Sequence, residues 1–473
     1  MQINFDTLPT QYATTIKQIK DVAERFEYNV YVVGGFVRDL IADNKVSDDI
    51  DFIVDKEDIE NPATKFVDLL VRSGVGKNVA IYETFGTAKV EVNELKVEFV
   101  MPRGEKYEEG NRKPINVNKV TLYEDAIRRD FTMNTLMIDM EGNIIDMLGT
   151  GLIDLMYKFL RSANPNPNIM LKDDPLRSLR AWRFMSTKGY SADPLLLESV
   201  KVNAKELEWI SKERVREELN KLIMGDNVVE VLNDKIFVEY VLPQISPELY
   251  ELTKCEETPP YHKNESTWEH TVRVVGNVPQ ILHMRLAALF HDIGKPKVRT
   301  TEVDNDNPPI AHFYEHEKYS KDITIEVMKR LTYSNDMINT VAKLVRNHMR
   351  PHGYSEKWSD KAIRKFIVDL KKLGNDCMTL AIADSYGSGW NDEIEVKAQE
   401  KLNGMVHRIL NVKRKPIHMK SIVNGDELMA MSGRESGKWV GEVIKYQMKV
   451  LLEDPEISKE ELTYKLKNAI GVK

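Results

Sequence analysis

The segment of residues 31–54, YVVGGFVRDLIADNKVSDDIDFIV, constrains the fold of this chain more strongly than any other. Its first apolar run ends at Gly34 and Gly35, and glycine lets the backbone turn tightly and approach a ligand closely. The next residues, 36–41, can begin a helix whose free N–H groups favour an anion such as phosphate. This order of strand, glycine turn, helix and strand predicts an α/β domain with a phosphate site at the turn.

Acidic residues follow in the second strand of that segment. Asp49 and Asp51 flank Ile50, and residues two apart in a strand point to the same side. Two carboxylates on one side repel each other unless a cation lies between them, and Mg²⁺ prefers a few carboxylates together with substrate phosphates. A third carboxylate, Glu98 in LKVEFVMPR, is expected on a neighbouring strand. Together, Asp49, Asp51 and Glu98 predict a catalytic magnesium site that acts on a nucleotide.

The length and composition limit the class of protein. A chain of 473 residues is long enough for about three domains, and it has no apolar run near the roughly 18 residues of a membrane helix. The N-terminus lacks the basic and apolar regions of a signal peptide, and the two cysteines, Cys255 and Cys377, do not indicate a disulfide framework. We therefore expect a cytoplasmic protein without a membrane partner, either a monomer or a homodimer.

The strand signals of the first 150 residues fade after Pro165 and Pro167, and helical patterns dominate from about residue 260. Thr121 and Glu124 form a capping-box pattern, and SKERVREELNKLIMG predicts a helix that Ser211 caps. Basic residues concentrate in the segments 158–188 and 401–420, although the net charge is −7. Such segments suit contact with an RNA backbone and suit a solvated helix face equally well.

A second chemical site is indicated by the histidines, because eight of the ten fall between residues 262 and 352. One of them forms the pair His291-Asp292 in FHDIGKP, and Asp384 in LAIADSYG could complete a ligand set. Imidazole and carboxylate together suit Ni²⁺, Mn²⁺, Zn²⁺ or Fe. The alternative is a group of buried structural histidines.

The motifs together resemble a known family. GGFVRD, DDIDF, FGTAKV, RGEKYEEGNRKP, EDAIRRDFTMN, DMLGTGLIDL, DDPLRSLRAWRF and SKERVREEL occur in family order over most of residues 28–225. The chain resembles the class II tRNA nucleotidyltransferases, the CCA-adding enzymes, and specifically the bacterial type with a C-terminal HD domain. The resemblance implies tRNA, CTP and ATP as partners. The segment 103–114 matches the family's flexible loop, whose presence accompanies addition of the final A.

Asp174 and Arg177 in DDPLRSLRAWRF are the residues that would select the base. On a helix, residues three apart share a face, where a carboxylate accepts from a base amino group and a guanidinium donates to base-edge acceptors. The family uses the matching pair to accept CTP and ATP, and the alternative is a structural Asp–Arg salt bridge. The resemblance also implies a larger set of nucleotide-binding residues: Gly34, Gly35, Arg38, Asp125, Arg128, Arg129, Asp130, Asp174, Arg177 and Arg180.

The second site resembles the H…HD…D pattern of HD phosphohydrolases. The matching metal ligands are His270, His291, Asp292 and Asp384. In some HD proteins further histidines bind a second metal, and His312, His316 and His348 match those positions. Lys295 could neutralise developing charge as a catalytic residue. The resemblance implies 2′,3′-cyclic phosphodiesterase, 2′-nucleotidase and phosphatase activities.

The expected fold is multidomain α+β. An N-terminal α/β nucleotidyltransferase head of polymerase β type covers residues 1–150, and an all-α nucleotide-selecting and RNA-binding neck covers 151–245. The HD phosphohydrolase domain covers 246–400 and a helical tail covers 401–473. The predicted function is template-independent addition of CCA to tRNA, with a second hydrolytic site. The alternatives are a poly(A) polymerase and an HD hydrolase whose N-terminal half binds RNA.

Overall fold

The computed structural model describes residues 2–47, 49–106, 116–258, 265–304, 307–387 and 392–471. The chain forms two compact units, residues 1–245 and residues 246–473. The first contains a mixed sheet with helices and the second is mainly helical, so the predicted α+β class is confirmed. The four-part division stays a prediction, and the helix Asp392–Val412 passes through its proposed boundary at residue 400.

The strands of the first unit form one large sheet and two small ones. They are β1 (Asn29–Val33), β2 (Ile50–Asp55), β3 (Lys77–Tyr82), β4 (Thr87–Val92), β5 (Leu95–Val100), β6 (Arg103–Lys106), β7 (Asn116–Lys119), β8 (Met137–Asp139), β9 (Ile144–Ile145), β10 (Phe159–Leu160) and β11 (Ser191–Ala192). The large sheet has the order β3-β4-β5-β2-β1-β8-β9, and the pairs β6–β7 and β10–β11 are separate.

The helices of the first unit cover the sheet and continue beyond it. They are α1 (Thr10–Phe26), α2 (Gly34–Asp43), α3 (Pro62–Arg72), α4 (Leu122–Ile127), α5 (Gly151–Met156), α6 (Pro167–Asp173), α7 (Leu176–Lys188), α8 (Pro194–Asn203), α9 (Lys212–Ile223), α10 (Val228–Leu232) and α11 (Leu242–Ile245). Short 3₁₀ turns lie at Phe5–Thr7, Glu83–Phe85, Thr132–Asn134 and Ala204–Trp209, and a π turn lies at Phe237–Val241.

The central strand β2 is apolar on both faces because both faces are covered. Phe52, Ile53 and Val54 are all buried, as expected for a strand inside a layered sheet. The ring of Phe52 stacks on Phe99 of β5 with centroids 5.1 Å apart, and Phe66 of α3 meets Phe99 edge-on at 5.5 Å. This packing fixes β2 beside β5, and with it the acidic residues at the start of β2.

The register of the sheet places the acidic residues beside the glycine turn. Asp51 lies opposite Val33, the last residue of β1, in an antiparallel pair. On its other side Asp51 is the register partner of Glu98 on the parallel strand β5. Because α2 begins directly after Val33, its N-terminus, Asp51 and Glu98 meet at one edge of the sheet.

Two helix-capping predictions have different outcomes. Thr121 and Glu124 form the predicted capping box at the start of α4, so that prediction is confirmed. Ser211 precedes α9, but its side chain makes no capping hydrogen bond, so that cap was predicted wrongly. Packing places α9 instead, since Val215, Leu219 and Leu222 are buried and α9 packs against α7.

The second unit consists of helices and two short hairpins. The helices are α12 (Pro247–Tyr250), α13 (Thr267–Asn277), α14 (Leu282–Phe290), α15 (Lys295–Val298), α16 (His316–Arg330), α17 (Asn335–Asn347), α18 (Met349–His352), α19 (Asp360–Leu370), α20 (Gly374–Gly387), α21 (Asp392–Val412), α22 (Gly425–Ser432), α23 (Lys438–Glu453) and α24 (Lys459–Ile470). The strands are β12 (Glu256–Glu257), β13 (Glu265–Ser266), β14 (Thr300–Asp304) and β15 (Asn307–His312), and 3₁₀ turns lie at Glu251–Lys254 and Lys371–Leu373.

The helices α13, α14, α16, α17 and α20 pack around the histidine cluster. The last three helices, α22 to α24, have a small core of their own that includes Leu428, Leu462 and Leu466. Buried Gln447 joins this core to the preceding loop, because its amide oxygen accepts from the backbone N–H groups of Ile422 and Val423. In the part of the chain that the structure describes, no helix has the length and apolar character needed to cross a membrane.

Candidate active sites

The first site forms at the sheet edge where α2 begins. Gly34 adopts a φ of +78°, and a Cβ built there would lie 2.8 Å from Asp51 Oδ2. A residue with a side chain would thus be strained and would collide with the carboxylate. The glycine is therefore required by the close approach of the α2 N-terminus to Asp51.

Asp51 is held among other acids. Burial, and then the charges of Glu98 and Asp49, raise the pKa of the Asp51 carboxyl to about 6. Glu98 also pairs with Lys89 across the sheet, with 2.8 Å between Nζ and Oε2. Asp49 lies just before β2 and is exposed. Neighbouring carboxylates repel one another, which raises the pKa, and a bound cation would relieve this repulsion. Asp49, Asp51 and Glu98 therefore fit Mg²⁺.

Beside the acids lies a cavity of about 370 Å³ with a strongly basic wall. Its lining includes the glycine turn and Asp51, and it contains six arginines: Arg38, Arg128, Arg129, Arg177, Arg180 and Arg214. The remaining lining residues are Asp130, Asn134 and Asp174. Guanidinium groups around a helix N-terminus form a site for a highly charged anion such as a triphosphate.

Buried carboxylates hold these arginines in place. Asp125 accepts from Arg128 at 2.8 Å and from Arg129 at 3.0 Å. Asp130 accepts from Arg180 at 2.6 Å and from the Asn134 amide at 2.9 Å. Burial alone would raise the pKa of Asp130, but Arg180 and Asn134 hold it well below its usual range. Asp125 is not among the residues that line the cavity, and it orients Arg128 and Arg129, which do line it.

Asp174 and Arg177 both line the cavity, but they do not share a helix as predicted. The helix α6 ends at Asp173, Asp174 has an extended backbone with φ −147°, and α7 begins at Leu176. Pro175 separates the two helices, since the residue before a proline is disfavoured in helical conformation. The prediction of one helical face was therefore wrong, although the residues still reach the same cavity.

The simple alternative, a salt bridge between Asp174 and Arg177, is also not observed within the described residues. Arg214 of α9 donates to Asp174 Oδ2 at 2.7 Å. Arg177 donates to the backbone oxygens of Met170 at 3.1 Å and Arg128 at 2.6 Å. The two side chains are therefore oriented separately and do not neutralise each other.

Three residues of this site were not predicted from the sequence. Arg214 and Asn134 line the cavity, and Glu218 of α9 pairs with Arg180 and with Arg183. Arg214 and Glu218 lie in SKERVREEL, which was interpreted as a helix and as a family motif but supplied no site residue. Their roles depend on the packing of α9 against α7, which no local pattern in the sequence encodes.

The second site is a buried cluster of histidines and aspartates in residues 246–473. His291 Nε2 lies 3.1 Å from Asp292 Oδ2, and His270 Nε2 lies 3.1 Å from Asp384 Oδ1. The Nε2 atoms of the two histidines are 3.2 Å apart. The predicted set of His270, His291, Asp292 and Asp384 is thus brought together around one point.

A second group shares Asp292 with the first. His316 Nε2 lies 3.0 Å from Asp292 Oδ1, and His348 Nε2 lies 3.6 Å from the same oxygen. The two imidazole Nε2 atoms are 3.1 Å apart. Both groups, His270–His291–Asp292 and Asp292–His316–His348, have the donor atoms that a metal ion needs within 4.8 Å of one another.

Hydrogen bonds to backbone oxygens orient three of these rings. A carbonyl oxygen can only accept, so each Nδ1 must donate, and a neutral ring then keeps a lone pair on Nε2. The bonds run from His291, His316 and His348 to the oxygens of Ala288, Phe313 and Val345, at 2.7, 2.9 and 2.7 Å. Each of these Nε2 atoms is therefore available to a metal.

The contact between His316 and Asp292 tests whether a metal fits. With the proton of a neutral His316 on Nδ1, its Nε2 lone pair faces the lone pairs of Asp292 Oδ1 at 3.0 Å. Within the described residues, this buried oxygen accepts no hydrogen bond. Two lone pairs at this distance repel unless a proton or a metal cation lies between them. The donor set of imidazole and carboxylate fits a divalent transition metal.

The carboxylates also determine the proton affinities of this cluster. Burial alone would lower the pKa of His291, but Asp292 and Asp384 raise it to about 10. Burial likewise opposes protonation of His270, and Asp292 and Asp384 raise its pKa to about 9. His270 and His291 therefore favour bound positive charge, which protons supply when no metal is bound, whereas burial lowers the pKa of His348.

Lys295 and His352 border the cluster. Lys295 is buried, and its Nζ lies 2.7 Å from both Asp292 Oδ2 and Glu257 Oε1. This arrangement orients Asp292, and a direct catalytic role of Lys295 stays a prediction. His352, which received no role from the sequence, lies 2.9 Å from Asp384 Oδ2.

Within the described residues, His312 belongs to neither metal group, and its role as a ligand of a second metal stays a prediction. It pairs with Glu302 at 3.0 Å and stacks on Tyr314. It ends strand β15, whereas His316 begins α16, and the turn between them separates their directions. His262, Asp48 and most of the predicted loop at 103–114 lie outside the described residues.

Comparisons with known proteins agree with this two-site arrangement. A family model described as the poly A polymerase head domain matches residues 30–161, and one described as the HD domain matches residues 267–387. A third, described as a probable RNA and SrmB-binding site of polymerase A, matches residues 189–249. The match to the head model contains Asp49, Asp51 and Glu98, and the match to the HD model contains the histidine cluster.

The chain is similar to curated proteins with related names. It is 29% identical over 354 residues to a CC-adding tRNA nucleotidyltransferase of Thermus thermophilus, covering 72% of this chain and 76% of the relative. It is 26% identical to an A-adding tRNA nucleotidyltransferase of Deinococcus radiodurans, covering 68% of this chain and 74% of that protein. A CCA-adding enzyme of Limosilactobacillus reuteri is 36% identical, covering 48% of this chain and 53% of that protein.

Solved structures share the fold. The CCA-adding enzyme of Bacillus stearothermophilus in complex with CTP matches with a TM-score of 0.65 at 18% identity, covering 98% of this chain and 99% of that chain. The Thermotoga maritima CCA-adding enzyme complexed with tRNA matches with a TM-score of 0.59 at 21% identity, covering 98% of this chain and 96% of that chain.

Proposed function

We propose that the chain is a class II tRNA nucleotidyltransferase of the bacterial type with an HD domain, and that it adds CCA to the 3′ end of tRNA from CTP and ATP. The named relatives include A-adding, CC-adding and CCA-adding proteins, so the extent of addition is part of this proposal. We place the protein in the cytoplasm, where its buried free thiols, Cys255 and Cys377, would stay reduced.

One observation supports the transfer reaction above all others. The carboxylate of Asp51, with Glu98 as its neighbour on β5, adjoins a cavity whose wall holds six arginines and the N-terminus of α2. A nucleoside triphosphate needs a cation beside its reacting phosphate and positive charge along the others. Asp51 and Glu98 can bind the cation, and the arginines of the cavity wall provide the positive charge.

Different residues of the site would bind the metal and the triphosphate. Asp49, Asp51 and Glu98 would hold Mg²⁺, which supplies charge neutralisation at the phosphates and alignment of the tRNA hydroxyl. Arg128, Arg129 and Arg180 neutralise the triphosphate while Asp125 and Asp130 keep their guanidinium groups in position. The tRNA 3′-hydroxyl then releases its proton to solvent while its oxygen bonds to the α-phosphorus, and pyrophosphate leaves with the electron pair of the broken P–O bond.

Asp174 and Arg177 select the base in this proposal. Arg177 is fixed by two backbone oxygens, and Asp174 by Arg214 and the N–H of Leu176. Cytosine and adenine both present an amino group that a carboxylate can accept from, whereas uracil and guanine present an oxygen at the corresponding place. Because Asp174 is an acceptor only, it favours C and A and disfavours U and G.

A transcript of tRNA without CCA tests the proposal, with Mg²⁺ and with CTP alone, ATP alone, or both. CCA addition predicts two C residues from CTP alone and one further A when ATP is present. Arrest at CC with both nucleotides would indicate a CC-adding enzyme, and addition only to a transcript that already ends in CC would indicate an A-adding enzyme. Long A tails from ATP alone would indicate a poly(A) polymerase.

We also propose a metal-dependent phosphohydrolase function for the histidine cluster. The observation that favours it is the shared carboxylate of Asp292, which faces both groups of metal-binding side chains. His270, His291, Asp292 and Asp384 would hold a divalent transition metal, which supplies a Lewis acid for a phosphate ester. Lys295, which also pairs with Glu257, holds the Asp292 carboxylate in place.

The substrates to test are nucleoside 2′,3′-cyclic phosphates and 2′-monophosphates, with Ni²⁺, Mn²⁺, Zn²⁺ or Fe²⁺ added separately. His291→Ala should abolish hydrolysis and leave nucleotide addition unchanged. His283→Gln is a matched control, because His283 pairs with Asp376 outside both metal groups. Hydrolysis that survives His291→Ala would exclude the cluster as its site.

A further inference from the structure

A second cavity, of about 530 Å³, opens beside the histidine cluster. Its wall includes Asp292, Asp384 and His316 from the metal groups, and also Tyr314 and Met349, which have no part in them. The volume lies in the range of small-molecule sites, roughly 300–1,000 Å³. The cavity therefore extends well beyond the room that a metal and a phosphate need.

Tyr314 presents an aromatic surface in this cavity. It stacks on His312 with ring centroids 5.3 Å apart and an interplanar angle of 10°, yet 72% of the residue stays exposed. His312 is held in turn by Glu302, at 3.0 Å from its Nε2. An exposed aromatic ring that is supported from behind has the form of a stacking surface for a nucleobase.

The position of Tyr314 is tied to the metal groups through the chain. His316 follows it by two residues, which spans at most about 7 Å, and the Phe313 oxygen between His312 and Tyr314 accepts from His316 Nδ1. Phe313 also contacts Lys295, with Nζ 5.1 Å from the ring centre. The same short segment thus carries a metal-binding imidazole and an aromatic ring, and both line this cavity.

The turn that presents Tyr314 is strained. Glu315 has a φ of +58°, in the left-handed region that residues other than glycine rarely adopt. Such strain persists only where surrounding contacts impose it, and here it allows α16 to begin directly after the turn.

We propose that Tyr314, supported by His312, stacks on the base of the substrate at the HD site, which makes this site selective for nucleoside phosphates over phosphates without a base. This inference rests on the proposed phosphohydrolase function and adds the residue that binds the base of its substrate. Tyr314 is a binding residue here, and His312 positions it.

The test compares hydrolysis of adenosine 2′,3′-cyclic phosphate with that of glycerol 1,2-cyclic phosphate, which has the same cyclic ester and no base. Tyr314→Ala should raise KM for the nucleotide about tenfold, because loss of base stacking has an effect of this order, and should leave kcat within about twofold. KM for the glycerol ester should not change. Tyr314→Phe keeps the ring and should behave as wild type, and Tyr464→Ala, an exposed tyrosine of α24, should have no effect.

Equal losses with both substrates in Tyr314→Ala, or a defect in Tyr314→Phe equal to that in Tyr314→Ala, would overturn the stacking role. If wild type hydrolyses neither ester, the phosphohydrolase proposal fails, and calorimetric binding of adenosine 2′-monophosphate then decides the inference by itself. Binding that is weakened by Tyr314→Ala and kept by Tyr314→Phe would support it. Binding independent of Tyr314 would contradict it.

Discussion

The sheet-edge site and the histidine cluster place carboxylates in opposite environments. Asp51 lies beside other acids, which together with burial raise the pKa of its carboxyl to about 6. Asp292 and Asp384 lie among imidazoles, and Asp292 also contacts an ammonium group, so their pKa values fall well below the usual range despite full burial. Negative charge therefore predominates around Asp51, although Lys89 pairs with Glu98, whereas Asp292 and Asp384 have neighbouring groups that can carry positive charge.

This difference indicates two modes of metal use. Three carboxylates at an open strand edge suit Mg²⁺ that arrives with the substrate phosphates. A closed group of imidazoles and carboxylates suits a transition metal that stays bound between reactions. Mutations and metal removal should therefore affect the two sites separately.

The largest expected effect comes from Asp51→Asn. Loss of this charge should lower nucleotide addition by about 10³-fold or more, because the transferring phosphates lose their cation. Hydrolysis at the histidine cluster should be unchanged, which the same preparation can show. The matched control is Glu91→Gln, an acid of β4 in the same sheet that pairs with Lys77. Near-normal addition by Asp51→Asn would place the magnesium elsewhere.

Asp292→Asn should have the largest effect on bound metal. Asp292 faces both metal groups, so its loss should remove transition metal from the dialysed protein, as measured by atomic emission. Asp51→Asn should retain as much of this metal as wild type. Equal metal content in wild type and Asp292→Asn would exclude the cluster as a metal site.

Gly34→Ala tests the close approach at the sheet edge. The new methyl group would lie 2.8 Å from Asp51 Oδ2, so we expect nucleotide addition to fall at least tenfold through displacement of the carboxylate. Gly149→Ala is a matched control, because Gly149 has a similar φ of +70° and no atom within 4 Å of the added carbon. Both variants should lose about 1–2 kcal/mol of stability from backbone strain, and only Gly34→Ala should lose activity. Equal activities of Gly34→Ala and Gly149→Ala would show that nucleotide addition does not require glycine at position 34.

Arg177→Lys should reduce base selection more than total activity. The planar guanidinium is fixed by two backbone oxygens, and lysine cannot reproduce its geometry. We expect discrimination of CTP against UTP to fall about tenfold or more, measured as the ratio of the two kcat/KM values. Arg72→Lys, which changes an exposed side chain at the end of α3, should keep the ratio of wild type. An unchanged ratio in Arg177→Lys would mean that the base is selected elsewhere.

The smallest effect concerns an ion pair outside both sites. Burial alone would raise the pKa of Glu248, but Arg330 and Ser246 lower it to about 2. Because this pKa is depressed in the folded protein, the pair stabilises above the unfolded value of about 4.5 and its contribution is lost as pH falls toward 2. The pair is partly exposed, so we expect less than about 1 kcal/mol. Urea unfolding of wild type and Glu248→Gln should differ at pH 6, and the difference should shrink below about pH 4.5 and disappear near pH 2. A difference that grows toward acid pH would contradict the assignment.

Much of this arrangement could be predicted from local sequence. The glycine turn, the acids of β2 and β5, and the capping box at Thr121 follow from patterns a few residues long. The histidine cluster could be predicted as a set because its members are unusually concentrated. These features depend on the backbone preferences and the metal-binding chemistry of individual residue types, which can be read from the sequence.

Other features depend on contacts between distant segments. Pro175 interrupts the helix that spacing predicts for Asp174 and Arg177, and Arg214 reaches Asp174 only because α9 packs on α7. His312 has the residue type of a metal ligand, but the turn before α16 directs it to Tyr314. Spacing alone could not distinguish these outcomes, since each depends on where a neighbouring element lies.

The independence of the two sites can be tested most directly with a tRNA transcript that lacks CCA and ends in a 2′,3′-cyclic phosphate. Supplied with CTP, ATP, Mg²⁺ and the transition metal that supports hydrolysis, wild type should open the ester, remove the phosphate and extend the end. Neither Asp51→Asn nor His291→Ala should extend it alone, and an equimolar mixture of the two variants should. Failure of the mixture, with each variant still active at its intact site on separate substrates, would contradict two independent active sites.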